Sequence, residues 1–475
     1  MKVIKNYLYN AGYQILLILA PLITTPYISR VIGANGSGIN AYTNSWVTFF
    51  YLIGQMGITT YGNRQIAYCR DDLIERSRVF FGIELLQTFT VTIALVSYLV
   101  IVFLFSSTFK TYFLIQSLWI IAAAFDISWY FMGLEDFKKT VSRNAVVKLT
   151  TIALTFVIIK GPQDLGRYIF LLGFAQLAGN LTLWPYLRGS VKWVPMKEWK
   201  PFKHLYPSIL LFIPTITIQI YVVVNRLMLG RMSTQTALGQ FDYSDKIVKV
   251  VLAVVTATGT VMLPHIANKF AAGDVKGIRN SLYNMFDFVS ALAIPIMFGL
   301  MAVSFKMAPW FLGHEYVATG KIIFLESPAI LFIAWSNVAG NQYLVPINRV
   351  TEYTISVTVG AVINVIANLF LIHLWGANGA AVATVISEFA VTAVQLHCIR
   401  TTIARRRLFA DTWRYLLSGL IMFFAVFRLN EIMNMNFVNL CLQVFVGIIV
   451  YGLGLLVFRA PIVKMALERL GKVKE

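Results

Sequence analysis

The sequence predicts an all-α polytopic membrane protein with about 14 transmembrane helices, and three observations carry that prediction. Of its 475 residues 58% are hydrophobic, only 13% are charged, and the mean hydropathy is +0.71, whereas soluble domains carry about one-quarter charged residues. Apolar runs near the roughly 20 residues that cross a hydrocarbon core recur along almost the whole length. The cationic residues, finally, sort by connection in the way that membrane insertion imposes.

The spans are expected at 8–29, 40–62, 80–105, 112–132, 146–160, 167–187, 206–228, 239–263, 281–304, 319–345, 353–374, 378–398, 413–430 and 437–458. With the N-terminus inside, connections alternate and both termini are cytoplasmic. Twenty-nine Lys and Arg residues then fall on the inner side and 9 on the outer, the other two of the 40 being Lys246 and Lys249. That asymmetry explains the net charge of +19 without a nucleic-acid partner. Met1 to Asn10 is short and polar and no small-residue cleavage pattern follows, so no cleaved signal peptide is expected. Cys69, Cys398 and Cys441 lie far apart, in no disulfide or metal-ligand spacing.

The longest connection, about Arg188 to Tyr206, combines Trp193, Trp199, Pro195, Pro201 and five basic residues. It reads as an interfacial linker at headgroup depth between two halves. A short internal repeat supports the halves. Gly38-Ile-Asn-Ala-Tyr42 matches Gly239-Gln-Phe-Asp-Tyr243, and Ile66-Ala67 matches Ile266-Ala267, an offset of about 200 residues. Six spans separate the copies, which preserves membrane orientation and implies parallel repeats. The expected organisation is thus an N-terminal six-helix lobe (1–190), the linker (191–205), a second six-helix lobe (206–400), and two extra helices with a basic tail (401–475).

The eighth span carries the strongest functional signal. Asp242, Asp245, Lys246 and Lys249 fall at i, i+3, i+4 and i+7, one stripe of a helix. The apolar part, Val250 to Leu263, has 14 residues, about 21 Å at 1.5 Å per residue, against a core about 30 Å thick. The two lysines are therefore drawn into the outer bilayer, where a charge must be paired, snorkel to the headgroups, or face enclosed water. Asp242 with Lys246, and Asp245 with Lys249, are acid-before-base pairs at i, i+4, so the stripe can neutralise itself.

Few other ionisable groups lie at depth. Glu388 sits midway along the twelfth span among small apolar residues, a place for a protonated carboxyl, a cation site or an interhelical hydrogen bond. Asn364 and Asn368, at i and i+4, present two amides to one side as interhelical contacts or sugar ligands. Asp126 is deep in the fourth span, whereas Glu84 is expected near the cytoplasmic end in water. Asn44 occupies the repeat position of Asp245. Arg30 and Arg226 close the outer ends of the first and seventh spans, as anionic-headgroup guides or interfacial anchors. Pro21, Pro26, Pro214 and Pro295 are expected to break their spans, making the first and seventh gating candidates.

Asp71-Asp72-Leu-Ile-Glu75 has the look of a magnesium-diphosphate site of a prenyl-transferring enzyme. Such chemistry needs a second facing acidic cluster; Glu135-Asp136, beside Lys138 and Lys139, is a poor one. An acidic helix start explains the motif better. With no phosphate loop, zinc spacing or Ser/His/Asp arrangement, no catalytic residue, metal or cofactor is expected.

At the eleventh and twelfth spans Asn364-Val-Ile-Ala-Asn368 and Gly376-Ala-Asn-Gly-Ala-Ala-Val-Ala-Thr-Val-Ile-Ser-Glu388 resemble the signature of Wzx-type polysaccharide flippases, in the polysaccharide transport branch of the MATE-like MOP superfamily. Pro26-Tyr-Ile-Ser-Arg30-Val-Ile-Gly33, Asn63-Arg64-Gln-Ile-Ala and Asn341-Gln-Tyr-Leu-Val-Pro346 agree with it. Where the family usually has a proline before the glycine block, this chain has His373 to Trp375. The resemblance implies two six-helix lobes around a central cavity, in a bacterial cytoplasmic membrane. It also implies carriage of a polyprenyl-diphosphate-linked oligosaccharide to the outer leaflet by alternating access, for capsule, exopolysaccharide or O-antigen-type synthesis. Membrane lipids, a coupling proton or sodium ion, a polysaccharide polymerase and glycosyltransferases are the implied partners. Related lipid-linked peptidoglycan precursor flippases use cavity arginines in the first, second and eighth spans. Here Lys246 and Lys249 stand in the eighth, with Arg30 and Arg64 at the two ends of the path, Arg226, Asn44, Asn364 and Asn368 as further substrate contacts, and Asp242, Asp245, Glu388 and Asp126 as coupling carboxylates. A cation-coupled small-molecule antiporter of the same fold is the alternative, and an organic cation calls for net acidic sites. A polymerase or prenyl transferase is a third, though no large external loop serves it.

Overall fold

The computed structural model describes residues 2–105, 108–256 and 266–463, without the side chains of 2–15, 17–19, 137, 213–215, 217, 218, 220 and 221. Among the described residues the protein is helical, with one isolated bridge, Arg188 to Val191, and no strand. The chain divides into two compact units, Met1–Gly230 and Arg231–Glu475. Among the described residues eight helices are long and apolar enough to cross a membrane, nine if one bent pair counts as a span. Each of the 14 expected segments overlaps a helix, a count compatible with that number. The inner end of the eighth, 257–263, and the basic tail from 464 lie outside the described residues.

The first unit runs α1 (Lys2–Gln55), α2 (Ile58–Tyr68), α3 (Leu73–Phe105), α4 (Lys110–Ala124), α5 (Ser128–Gly133), α6 (Phe137–Ile158), α7 (Leu165–Leu181) and α8 (Leu205–Met232). A loop between the first two spans is expected near 30–39, yet α1 continues through it and departs from helical geometry only at Gly33, φ 77°. Glycine reaches that left-handed φ without a Cβ clash, so one residue turns the chain. The expected proline breaks are corrected too. α1 runs on through Pro21 and Pro26 as helix, while the side chain of Pro214, in α8, lies outside the described set.

Between α4 and α5 the helix opens at Phe125–Ile127, leaving carbonyls that lipid could not satisfy. Side chains take them up instead. Asn180 Nδ2 donates to Ala122 O at 2.7 Å, Gln87 Nε2 to Ala123 O at 2.7 Å and Asp126 O at 3.1 Å, and Trp184 Nε1 to Phe125 O at 3.1 Å.

The second unit comprises α9 (Gln235–Thr256), α10 (Val275–Leu312), α11 (Val317–Glu326), α12 (Pro328–Ser336), a π-helical turn Asn337–Leu344, α13 (Val350–Trp375), α14 (Ala377–Cys398), α15 (Arg405–Leu408), α16 (Thr412–Ile432) and α17 (Phe437–Val457). α10 also runs through a proline, Pro295, which removes the donor for the carbonyl of Ala291. Tyr451, from α17, donates its hydroxyl to that carbonyl at 2.8 Å. The break that does bend a span lies where no proline break was expected, at Ser327 between α11 and α12, by 43°.

The glycines of the α13–α14 turn have separate jobs. Gly376 holds φ 55°, ψ −127° at the turn, and a Cβ on Gly379 would stand 1.9 Å from Leu371 O, so side-chain-free packing joins these helices. Gly38 is the fifth residue after the break at Gly33, and Gly239 the fifth of α9. The division at Gly230 differs from the expected lobe boundary by one helix. α8 is held to the first unit near its start, where a Cβ on Gly57, itself at φ 74°, would meet Ser208 O at 2.9 Å.

Candidate functional site

α9 places its charged stripe as the i, i+4 spacing requires. Lys246 Nζ lies 2.6 Å from Asp242 Oδ2, and Lys249 Nζ 2.8 Å from Asp245 Oδ2. The pairs are asymmetric: the aspartate side chains are 5% and 11% exposed, the lysine side chains 49% and 46%. Carboxylates therefore form a buried layer and ammonium groups an accessible one, with Lys246 also 4.8 Å over the Tyr243 ring. A third carboxylate stands behind the stripe. Glu326, 1% exposed at the end of α11, accepts a hydrogen bond from Ser244 Oγ at 2.6 Å. Sequence reasoning missed it, although an acid inside an apolar span immediately before Ser327-Pro328 was a usable signal. Gln240 completes the contact between α9 and the start of α11, donating to Glu315 O at 2.8 Å while its own carbonyl accepts from Thr319.

A second polar group in the same unit lies between α13 and α14. Asn368 Nδ2 donates to Asn364 Oδ1 at 2.9 Å, Asn364 Nδ2 approaches Ser387 Oγ at 3.4 Å, and Gln395 Nε2 donates to Ser356 Oγ at 3.1 Å. Asn364 and Asn368 are fully buried; their mutual bond lies within α13, and the contact of Asn364 with Ser387 crosses to α14. Glu388 is 6% exposed, and its backbone carbonyl accepts from Thr392. It lies within electrostatic reach of Tyr353 across the helix pair.

The first unit distributes its candidates differently. Asn44 accepts from Thr48 Oγ1 at 3.4 Å. Asp126 Oδ1 accepts from Ser128 N at 3.0 Å, fixing the start of α5. Glu84 is corrected: it is 9% exposed rather than in water, on the packed face of α3 and within electrostatic reach of Asp126. Arg30 and Arg64 are exposed, on α1 and α2, while Arg226 is partly buried in α8. The structure thus pairs Asp242 with Lys246 and Asp245 with Lys249 on one stripe of α9, and holds Glu326 to Ser244 on the opposite side of that helix. It gathers Asn364, Asn368, Ser387 and Glu388 in another group of the same unit.

The acidic motif before α3 is a cap. Asp72 Oδ1 accepts from Ile74 N at 2.9 Å and Glu75 N at 3.1 Å. The backbone donors of Glu75 and Ile74 hold its carboxyl below the usual range. Glu135 pairs with Arg70 at 3.0 Å. Among the described residues no three His, Cys, Asp or Glu side chains are placed to hold a metal ion.

Comparison with known proteins decides the family. The family model described as polysaccharide biosynthesis protein matches residues 3–270, more than half of the chain. The chain belongs to this family. A relative named as an O-antigen transporter, from Escherichia coli (strain K12), is 22% identical over 404 residues, covering 83% of this chain and 96% of its own. In fold, the chain is similar to the lipid II flippase MurJ in its inward closed conformation, with a TM-score of 0.75 at 17% identity over 97% of this chain and 100% of that one. It is also similar to a multidrug resistance MATE family transporter of the MOP superfamily in its inward-facing conformation, with a TM-score of 0.62 at 12% identity over 82% and 98%. This member of the polysaccharide biosynthesis family therefore has the MOP-superfamily fold and is a multi-pass membrane protein.

Proposed function

We propose that this protein is a flippase that carries a polyprenyl-diphosphate-linked oligosaccharide from the cytoplasmic to the outer leaflet of a bacterial cytoplasmic membrane, both termini being cytoplasmic. The α9 face is exposed in turn to the two sides. The family and the named activity of the O-antigen transporter relative support the cargo class. The observation that carries the reading is the layering on α9: two half-exposed ammonium groups held over buried carboxylates. Such a face offers a diphosphate several N–H donors from point charges. It stays affordable in the membrane because each lysine keeps its own counter-ion.

Moving a dianion through a low-dielectric region requires that its contacts be released at the far side. The pairs on α9 provide for that: when cargo leaves, Lys246 and Lys249 return to Asp242 and Asp245 rather than remaining unpaired. Asn44, Asn364, Asn368, Arg30, Arg64 and Arg226 remain proposed substrate contacts, the arginines toward the ends of the path. Asp242, Asp245, Glu388, Asp126 and the newly found Glu326 are the proposed coupling carboxylates for a proton or sodium ion. Polysaccharide polymerase and glycosyltransferases are the proposed functional partners.

The test measures surface polysaccharide in cells and lipid-linked oligosaccharide translocation in vesicles. A charge-neutral variant, Asp242→Asn, Asp245→Asn, Lys246→Gln and Lys249→Gln, should be inserted but inactive. Translocation at the wild-type rate would remove the diphosphate contact from α9.

A further inference from the structure

The linker between α7 and α8 forms a cationic pocket that the transport reading does not use. It is strapped to the start of α3 and to α5 by specific bonds. Arg76 Nη2 donates to Ser190 O at 2.7 Å, Lys192 N to Ser77 Oγ at 2.9 Å, and Tyr130 Oη to Ser190 O at 2.7 Å. Trp199 stacks on Phe81 with ring centroids 4.8 Å apart and planes at 9°, and its Nε1 donates to Val194 O at 2.9 Å. A Cβ on Gly82 would stand 2.2 Å from Trp199 O, so the linker rests directly on the α3 backbone. The result is a cavity of about 420 Å³ lined by Glu75, Arg78, Lys197, Glu198, Lys200 and Lys203, with Trp199 and His204 in its wall.

Charge inside this cavity is unevenly satisfied. Arg78 bridges Glu75 and Glu198, which uses both carboxylates of the lining. Among the described residues no salt bridge engages Lys197, Lys200 or Lys203. Lys200 is also held at φ 40°, ψ 55°, left-handed geometry that L side chains rarely adopt and that glycine would accept without strain. Retaining a lysine there costs stability for a side chain with no ion-pair partner. In the same linker and the first turn of α8, next in sequence to the lining residues, Trp193, Met196, Phe202 and Tyr206 are 73%, 67%, 63% and 70% exposed, aromatic and apolar surface suited to headgroup depth.

We propose that this pocket binds the headgroup of an anionic phospholipid of the adjacent leaflet. The phosphate sits among Lys197, Lys200 and Lys203, and these exposed aromatics lie between the glycerol and the upper acyl chains. On the orientation expected from the lysine and arginine distribution, that leaflet is the cytoplasmic one, where anionic lipids attract basic interfacial segments. The proposal is independent of the α9 site.

The test uses the full chain reconstituted in phosphatidylcholine bilayers with a trace of photoactivatable phosphatidylglycerol or, in parallel, photoactivatable phosphatidylcholine, with adducts mapped by mass spectrometry. Phosphatidylglycerol should label residues 193–206 at least fivefold more than phosphatidylcholine, and the excess should fall as salt rises. Lys200→Gly is the decisive variant, since it relieves backbone strain: thermal stability should hold or rise while the excess falls about threefold. Lys197→Ala with Lys203→Ala should remove the remainder. Equal labelling by both lipids, or an unchanged excess in Lys200→Gly, would overturn the proposal. So would displacement of the phosphatidylglycerol by equimolar polyprenyl diphosphate, because the pocket would then belong to the substrate.

Discussion

Removing the two lysines of α9 by alanine looks at first like a clean test of substrate contact that leaves the fold intact. The burial pattern predicts otherwise. With Lys246 and Lys249 gone, Asp242 and Asp245 remain 5% and 11% exposed without their counter-charges. Breaking a fully buried pair costs about 3–5 kcal/mol; because these ammonium groups are half exposed, solvent screening reduces that to on the order of 1–2 kcal/mol per pair. For a unit of this size 1 kcal/mol moves Tm by about 2–4 °C, so Lys246→Ala with Lys249→Ala should lower Tm by roughly 5–15 °C in detergent. The four-fold neutral variant should stay within about 3 °C of wild type, since amides replace both members of each pair. Each charge-assisted contact to diphosphate is worth about 1.5 kcal/mol or more, so that variant should translocate at least tenfold more slowly. Differential scanning fluorimetry and vesicle translocation read the two effects separately. A neutral variant with normal stability and normal transport would refute the reasoning.

Tyr451→Phe should destabilise the protein by about 1 kcal/mol, seen as a Tm drop of a few degrees, because it orphans the Ala291 carbonyl that Pro295 leaves without a donor. Gly82→Ala should loosen the linker, costing about 1–3 kcal/mol and opening it to limited proteolysis, since the new methyl meets a backbone oxygen that cannot swing away. His204, with its Nδ1 2.8 Å from the Tyr61 hydroxyl, is held neutral by burial and then by neighbouring Lys203, which lower its pKa to about 4 from 6.5. The unfolded chain therefore takes up the proton first. The stability His204 contributes is complete above pH 6.5 and lost progressively toward pH 4, and Tm measured across that window should fall less steeply in His204→Gln. Glu326→Gln keeps an acceptor for Ser244 and should leave Tm within a few degrees; if Glu326 couples an ion, the dependence of vesicle transport on the imposed gradient should disappear.

Much of this was legible in the chain because membranes impose simple rules. Helix positions followed from apolar length, and the α9 pairs from a spacing that geometry turns into contact. What escaped depended on tertiary partners. Pro295 did not break its helix, because a hydroxyl 160 residues away takes the freed carbonyl. Gly33 replaced a loop, because one residue of left-handed backbone redirects a helix. Glu84, placed by sequence at a wet helix end, is buried because α3 presents that face to the core of its unit. Glu326 went unnoticed because its significance comes from Ser244, which lies 82 residues earlier.

The central claim is that the α9 face meets water from both sides of the membrane in turn. Cysteine placed at position 253, one turn beyond Lys249 on the same stripe of α9 and partly exposed, in a background where Cys69, Cys398 and Cys441 are replaced by serine, can be challenged with a membrane-impermeant thiol reagent in right-side-out and inside-out vesicles. Labelling from both sides, shifted in proportion by lipid-linked oligosaccharide, is the predicted result. Labelling from one side only, or from neither, while the same protein still translocates cargo would contradict it.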